Sequence, residues 1–470
     1  MVPSKYQYTT DHIVLNAVRT ALVNEPLDSR IAIAYSGGLD SSTLLDAAVR
    51  VVGASRCIAL HIHHGLSPNA DVWANHTLKI SASFGVEFDM MRIDVARNSG
   101  QGIEASARAQ RYHALDSMCT RHQVTVLWLA QHADDQAETV LLQLLRGSGI
   151  AGLAAMAEYY LPVSSVRLTE SKVKRVRPVL HLSREQLERY AAERCLHWIE
   201  DESNKDIRYA RNALRKYVLP NISTYFPGFR NTLFRAAKNA SVAQNLLDDL
   251  AELDFSAAVL DGKYTLSHSA LISFNDARAA NLLRYWIRKF GLQSPSASRL
   301  YNMIRQLRNV HNSYSLCVNH SGYSLRLYRD FIYFEKIKNN HNKVRTESRC
   351  IWRGQEIWYL PKWSGTFIFA LTSPDDVYAV SDAQLRNAIL LARQRRGGER
   401  MYTKKNGQAR TLKNLFQERG VPVWQRDVPL LYIGDQLLYV PKLGINFNAL
   451  CGRESIESET STRWRRIIWK

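Results

Sequence analysis

Between residues 30 and 145 short apolar runs alternate with stretches whose apolar residues recur every three or four positions. The runs at 31–35, 57–63, 86–95 and 125–130 predict strands, and the periodic stretches at 42–51, 70–84, 102–121 and 135–146 predict helices packed on a sheet. Strand and helix in regular alternation make βαβ units, so the expected fold is α/β with a doubly wound parallel sheet. A further helix over 183–195 opens on Ser183 with Gln186 three residues on, the spacing of a capping box, and should close the substrate edge of this domain.

After Pro220 the strand alternation disappears, and residues 231–253, 270–290 and 296–307 carry helical periodicity. The segment 336–349, KIKNNHNKVRTESR, is polar, basic and poor in apolar residues, as connectors between domains are. Beyond it 351–360 and 365–371 alternate as strands do, and 411–419 reads as an amphipathic helix. Three domains are expected: 1–220, doubly wound; 221–340, helical; 350–470, small and mixed α+β. No internal repeat or low-complexity tract is visible.

Composition sharpens this picture. A chain of 470 residues exceeds what one core accommodates, about 250 to 300 residues, and 46% hydrophobic with 22% charged residues is a soluble globular balance. Lys and Arg number 62 against 43 Asp and Glu, a net +19 that attracts polyanions over long range; a merely solvated basic surface is the plainer alternative. No apolar run reaches the about 18 residues a membrane helix needs, and residues 1–12 are polar, so a cytoplasmic chain without a membrane partner is expected. Cys57, Cys119, Cys195, Cys317, Cys350 and Cys451 are scattered and never spaced C-x-x-C, which argues against a disulfide framework and against a thiolate metal site.

The candidate chemistry begins at Ser36-Gly37-Gly38-Leu39-Asp40-Ser41-Ser42, where an apolar strand runs through a glycine turn into a helix. Adjacent glycines accept positive φ and let main-chain N–H groups approach an anion, and the helix adds unpaired donors and a positive dipole end. No lysine follows the glycines, so this is not the G-x-x-x-x-G-K-[ST] loop. Asp40 stands there instead; a carboxylate repels phosphate unless a cation intervenes, which points to magnesium between Asp40 and a nucleotide. A capped helix start after a tight turn is the bland alternative. The pattern S-G-G-x-D-S behind a first strand resembles the PP-loop of the ATP pyrophosphatases, which cleave ATP to AMP and pyrophosphate.

Three more stretches fall near this edge. His61-Ile-His63-His64-Gly65-Leu66-Ser67 stands at the carboxyl end of the next strand, where open α/β sheets bind ligands. His63 and His64 are adjacent on a strand and point to opposite sides, which favours nucleotide or backbone contacts over a zinc cluster. On the helix over 102–121, Glu104, Arg108, Arg111 and Tyr112 are spaced to share a face, as a substrate pocket or a surface ion-pair stripe. Gln131-His132-Ala-Asp134-Asp135-Gln136-Ala-Glu138-Thr139 again joins strand to helix, and Asp135 with Glu138 could form only a capping box. Yet His132, Asp134 and Asp135 fall at the same carboxyl edge as residues 36–41, so acids, imidazole and phosphate donors should converge there.

In their order, S-G-G-L-D-S, H-I-H-H-G-L, G-I-E-A-x-A-R-x-x-R-Y, H-x-D-D-Q-x-E-T and R-G-S-G-I-x-G-L resemble the tRNA(Ile)-lysidine synthetase family. So do Trp198-Ile-Glu200-Asp201-Glu-Ser203-Asn204-Lys-Asp206 and Tyr209-Ala-Arg211-Asn212-Ala-Leu-Arg215. Arg396-Gly-Gly-Glu399, Lys413-Asn-Leu-Phe416 and Val421-Pro-Val-Trp424-Gln-Arg426-Asp427 are similar to the C-terminal domain of its long bacterial form, while the helical middle is similar in pattern more than in motif.

The resemblance implies an ATP-dependent carbon–nitrogen ligase. ATP adenylates the C2 oxygen of cytidine 34 in the CAU anticodon of a minor isoleucine tRNA, releasing pyrophosphate, and free L-lysine then expels AMP to give lysidine. It implies that Ser36, Gly37, Gly38, Leu39, Asp40 and Ser41 hold ATP, that Asp40 and Asp135 hold magnesium, and that His132 contacts the adenylated intermediate. Asp40, His132 and Asp135 would be catalytic, with Asp135 receiving or steering the lysine amine, and His63, Glu104, Arg108 and Arg111 would line the substrate pocket. The three domains would serve ATP binding and catalysis, substrate binding and tRNA binding. Arg211, Asn212 and Arg215, with Lys172, Lys174, Arg175 and Arg177, would meet tRNA phosphates, as would Arg396, Lys413 and Arg426; a homodimer is left open.

Residues 393–426 carry ten Lys or Arg against two Glu, interleaved with Tyr402, Phe416 and Trp424, an RNA-binding composition for which a solvated basic face is the alternative. In the family this domain touches the acceptor stem, which would exclude the methionine tRNA that shares the anticodon. Two rivals remain. A tRNA 2-thiolation enzyme needs paired thiolates or an iron–sulfur cluster, and these cysteines are unpaired in sequence. A non-catalytic RNA-binding protein with a vestigial site would be expected to lose Asp40 or Asp135 first, and both are present.

Overall fold

The computed structural model describes residues 9–26, 28–65, 67–93, 103–161, 173–202, 206–260, 265–310, 316–337, 347–405, 407–450 and 463–470, with the side chains of 103–107 left out. The chain divides into two compact units, Met1–Arg308 and Asn309–Lys470.

The first unit is built on β1 (Ile31–Ala34), β2 (Cys57–His63), β3 (Glu87–Arg92), β4 (Val126–Trp128), β5 (Tyr159–Tyr160) and β6 (Lys174–Val176), ordered β3-β2-β1-β4-β6-β5. All neighbours pair in parallel except β5 with β6. The accompanying helices are α1 (Thr10–Leu22), α2 (Leu39–Val52), α3 (Ala70–Ser83), α4 (Ile103–Arg121), α5 (Ala133–Leu145), α6 (Ile150–Leu153) and α7 (Arg184–Glu193). A strand covered on both faces must be apolar throughout, and β1 is: Ile31 and Ile33 enter a core with Leu44, Ala48, Leu187 and Tyr190, while Ala32 enters another with Ile58, Leu115 and Met118. Helices α1, α2 and α7 thus cover one face and α4 the other. Because the strand order reverses between β1 and β4, a crevice opens at their carboxyl ends.

Beyond the sheet, α8 (Ala210–Ala213) passes through a π-helical turn at Leu214–Val218 into α9 (Leu219–Tyr225). Then come α10 (Phe229–Ala258), the hairpin β7 (Val259–Leu260) and β8 (Thr265–Ser267), α11 (His268–Ser273), α12 (Asp276–Lys289) and α13 (Ala297–Arg308). Helix α10 packs on α5 and α6 as well as on α12, so these helices and the sheet form one compact unit. The single helix expected over 270–290 is two, because Asn275 starts a new one by accepting the Arg278 N–H at 2.9 Å.

The second unit opens with an antiparallel meander, β9 (Cys317–His320), β10 (Tyr323–Tyr328) and β11 (Phe331–Lys336), in a segment expected to be helical. Leu325 and Leu327 point inward on β10, a period of two that the helical reading of the region overlooked. The unit continues with β12 (Ser348–Ile351), β13 (Ile357–Leu360), β14 (Gly365–Thr372), β15 (Ala379–Ser381), α14 (Asp382–Leu385), β16 (Ile389–Arg393), β17 (Arg400–Met401) and β18 (Arg410–Thr411). Next are α15 (Leu412–Glu418), β19 (Leu430–Ile433), β20 (Gln436–Val440), β21 (Gly444–Ile445) and β22 (Trp464–Trp469). Sheets β12-β16-β19-β20-β21 and β13-β14-β22-β15 share a core of Trp352, Phe367, Phe369, Leu390, Leu431 and Ile467. The strand expected over 351–360 is broken near Gly354, φ +102°, so that β12 and β13 join different sheets. Among the described residues no helix is long and apolar enough to cross a membrane.

Candidate active site

The chain leaves β1 and turns at Gly37, whose φ of +84° is a glycine conformation. A Cβ there would lie 2.8 Å from Thr77 Cγ2 and 3.2 Å from Ile199 Cδ1. The Ile199 N–H donates to Gly37 O at 2.9 Å, the Ser41 hydroxyl to Gly38 O at 3.0 Å, and the Ser36 and Ser41 hydroxyls lie 3.1 Å apart. Gly38 caps α2 without a side-chain bond, so the first-turn amides, at the positive end of the helix dipole, are available to an anion.

Where β4 meets α5, His132 is only 2% exposed and its ring stands among three carboxylates. Its Nε2 lies 3.7 Å from Asp40 Oδ1 and 3.5 Å from Asp135 Oδ2, and its Nδ1 3.7 Å from Asp134 Oδ2. The glycine turn and the β4–α5 acids therefore share one rim of the sheet. Asp135 Oδ2 also accepts the His132 N–H at 3.2 Å, so the capping contact runs from Asp135 back to His132, and Glu138 is free of it. Glu138, 0% exposed, takes Arg215 Nε at 2.7 Å and Nη2 at 3.1 Å, with Arg211 Nε at 3.3 Å.

Two arginines that the motif reading missed complete the charge balance. Arg184 Nη1 donates to both Asp40 oxygens, at 2.8 and 2.7 Å, and its backbone N–H to Asp134 Oδ2 at 2.9 Å. Arg230, at the start of α10, donates to Asp134 Oδ1 at 2.5 Å. Arg184 follows the Ser183 cap, so the capping box located its helix; nothing local marked Arg230. Burial pushes the carboxyls of Asp40 and Glu138 above the usual range, against the pull of His132 and Arg184 on the first and of Arg215 on the second.

Asp40, His132, Asp134, Glu138, Arg184, Arg215 and Arg230 line a cavity of about 830 Å³ together with Trp73, Trp198, Ile199 and Glu200, whereas Asp135 is not in its lining. A second cavity of about 270 Å³ is lined by Tyr35, His64, Tyr112 and Gln131; Ser36, Gly38, Asp40 and Arg111 line both. The two volumes suit a nucleotide and a second substrate meeting at Asp40.

Not every expected residue reaches the cavities. His63 Nε2 is held by Asp71 at 3.2 Å, and its neighbour His64 faces the smaller cavity instead. Burial, with Arg111 nearby, pulls the His64 imidazole down to about 4. Arg108 lies over the Tyr112 ring at 5.6 Å and lines neither cavity, and the Glu104 side chain and Lys172 lie outside the described residues. Lys174 and Arg175 on β6, and Arg177 just after it, which were expected to meet phosphates, have internal partners. Lys174 pairs with Glu25 at 2.5 Å and Arg175 with Asp116 at 2.8 Å, while Arg177 bonds Gln131 and Ala157 O.

Arg211 donates to Thr139 Oγ1 at 2.8 Å and Asn212 to Asp206 O at 2.9 Å; Arg215 lines the larger cavity. In the second unit Arg396 is exposed and paired with Glu347 at 2.9 Å, and Lys413 is exposed. Arg426 is different: at 8% exposure it donates to Val421 O at 2.8 Å and Tyr328 Oη at 3.3 Å, which makes it a brace inside the unit. The interleaved rings are internal too. Phe416 is fully buried on the inner face of α15, and Trp424 meets Tyr328 edge-on under Arg326.

Magnesium takes one or two carboxylates and fills its octahedron with phosphate and water oxygens. Asp40 and Asp135 fit that role, both within 3.7 Å of the same imidazole and beside the anion-binding turn. No group of three or more acidic, His or Cys side chains arranged to hold a metal occurs among the described residues, so the phosphates would have to supply ligands.

Comparison with known proteins identifies the family. The PP-loop domain family matches residues 12–222, the TilS substrate binding domain 266–333, and the TilS substrate C-terminal domain 390–464. A tRNA(Ile)-lysidine synthase of Burkholderia pseudomallei (strain K96243) is 50% identical, covering 100% of this chain and 99% of that protein. Another from Ralstonia nicotianae (strain GMI1000) is 35% identical over 89% of this chain and 90% of that protein. Among solved structures, the U34-tRNA thiolase NcsA from Methanococcus maripaludis, at 15% identity, covers 49% of this chain and 79% of its own with a TM-score of 0.41, too low to carry an argument. With relatives this similar from end to end, the chain belongs to the tRNA(Ile)-lysidine synthase family.

Proposed function

We propose that this enzyme ligates free L-lysine to C2 of cytidine 34 in the CAU anticodon of the minor isoleucine tRNA, consuming ATP. The observation that carries the reading is the meeting of Asp40, His132 and Asp135 beside the turn at Ser36 to Ser41. In the first step cytidine O2 attacks the α-phosphorus of ATP and pyrophosphate leaves, held by the first-turn amides of α2 and the Ser36 and Ser41 hydroxyls. Asp40 would hold magnesium, which would supply charge neutralisation for the phosphates, and Asp135 is kept for the second step. In the second step the lysine amine attacks C2, and AMP departs with the former O2.

A lysine ammonium, with an ordinary pKa near about 10.4, is no nucleophile until it loses a proton. Asp135 receives or steers that proton, and the buried His132 ring contacts the adenylated base. Arg211, Asn212 and Arg215, and in the second unit Arg396 and Lys413, meet tRNA phosphates. Cytidine 34 is unpaired in its loop, so little energy is needed to place it in the cavity.

Labelled lysine should enter the minor isoleucine tRNA and not the methionine tRNA with the same anticodon. Asp135→Asn should still release pyrophosphate when tRNA and ATP are supplied, yet fail to incorporate lysine. Incorporation by that variant at the parent rate overturns the role given to Asp135.

A further inference from the structure

Arg184 occupies the carboxylate on which the phosphate chemistry depends. Its Nη1 bridges both oxygens of Asp40, at 2.8 and 2.7 Å, the place a cation approaching that carboxylate would take. Asp40 is the second residue of α2, beside the amides and hydroxyls suited to phosphate. Arg184, Asp40, Ser36 and Gly38 line the same cavity.

The backbone of Arg184 is fixed and its side chain is not. Its N–H donates to Asp134 at 2.9 Å, Ser183 before it closes the capping box, and Leu187 and Tyr190 anchor α7 in the core with Ile33 and Leu44. The side chain is 39% exposed, and its Nε bonds Glu188 at 2.9 Å on the same helix. The guanidinium can therefore swing about a rigid base without disturbing the fold.

Other arginines of the lining are placed differently. Arg215 grips the fully buried Glu138 and Arg230 grips Asp134, carboxylates that the magnesium reading does not use. Arg184 instead shares its partner with the metal. A divalent cation on Asp40 has the same sign of charge as the guanidinium and repels it at such short range. A polyphosphate at the turn offers a replacement, since its oxygens match the planar fork of an arginine.

We propose that Arg184 is the counter-ion of Asp40 until a divalent cation displaces it, whereupon its guanidinium transfers to the phosphate oxygens of the nucleotide. This rests on the reading above in which Asp40 would hold magnesium. It adds an arginine to the phosphate site and makes metal and nucleotide bind cooperatively, because each provides a partner for the group that the other leaves unpaired.

The test uses the full-length enzyme and manganese, which shares magnesium's preference for octahedral oxygen ligands, with the unbound metal counted by electron paramagnetic resonance. Arg184→Gln should bind manganese alone about threefold to tenfold more tightly than the parent, because the competitor for Asp40 is gone. At saturating manganese the same variant should bind pyrophosphate about tenfold or more weakly by calorimetry, because the charged donor is lost. Shifts of opposite sign are the signature, since a residue that merely braced the rim would weaken both. Arg184→Lys, which keeps the charge, should bind manganese alone much as the parent does. Thermal melting of each variant checks folding.

Manganese affinity unchanged or weakened in Arg184→Gln, while Asp40→Asn abolishes manganese binding, overturns the inference and leaves Asp40 as the metal ligand. Unaltered pyrophosphate affinity in Arg184→Gln overturns it too, as does equal tightening of manganese in Arg184→Lys. If Asp40→Asn binds manganese as the parent does, the metal reading itself fails and the inference falls with it.

Discussion

Gly37 shows how much a single position carries. Its positive φ costs another residue about 1–2 kcal/mol, and the added methyl would press on Thr77 and Ile199. Gly37→Ala should therefore weaken ATP binding by about tenfold or more, read by calorimetry on the folded protein. Unaltered affinity would mean that the turn can form without glycine. His64 gives the residue scale a pH signature. Its imidazole titrates near 4 when folded and near about 6.5 when unfolded, so the unfolded chain takes up a proton that the folded chain refuses. The stability it contributes is complete above about pH 6.5 and is lost as pH falls toward 4. Asp40 and Glu138, raised by burial, act in the opposite sense, so the comparison must be with a variant. Urea midpoints measured at pH 7.5 and pH 5 should converge less in the parent than in His64→Gln; identical drops would mean that His64 is not held neutral.

At the scale of elements, α7 couples stability to the site. Ser183 Oγ accepts the Gln186 N–H at 3.2 Å and Gln186 Oε1 accepts the Ser183 N–H at 2.8 Å, and Arg184, the next residue, holds Asp40 and Asp134. Ser183→Ala should cost about 0.5–2 kcal/mol in urea unfolding and also raise the KM for ATP. A stability loss with KM unchanged would uncouple the cap from Asp40. This capping box was readable from two residues, as were the strand-to-helix junctions bearing Ser36 to Ser41 and His132 to Asp135, because caps and glycine turns are local chemistry. The meander at Cys317–Lys336 was not, since its strands of four to six residues are too short for their alternation to stand out before they pair as hairpins. Arg230 was not either: it reaches Asp134 only because α10 folds back on α5.

Over the whole molecule the net charge of +19 should make tRNA affinity fall steeply with salt. Arg396→Ala and Lys413→Ala should each weaken binding, lower the salt slope by about one and leave melting unchanged. Arg426→Ala should instead lower the melting temperature, because its partners Val421 O and Tyr328 lie inside the second unit. If Arg426→Ala melts like the parent and only its salt slope changes, the side chain faces RNA after all. Composition announced a polyanion partner, but it could not separate a cation that faces solvent from one spent on an internal carbonyl.

What could be read directly from the residue order was the chemistry of adjacent positions: which strands are apolar on both faces, where a glycine turn meets a helix start, and where carboxylates follow a strand. Those are properties of a few neighbouring residues and of the fixed geometry of strand and helix. The charge balance among Asp40, Asp134, Glu138, Arg184, Arg215 and Arg230, the choice of His64 over His63, and the internal fate of Lys174, Arg175 and Arg426 were settled by packing. A long side chain can reach several partners, and which one it takes depends on the elements that folding brings beside it.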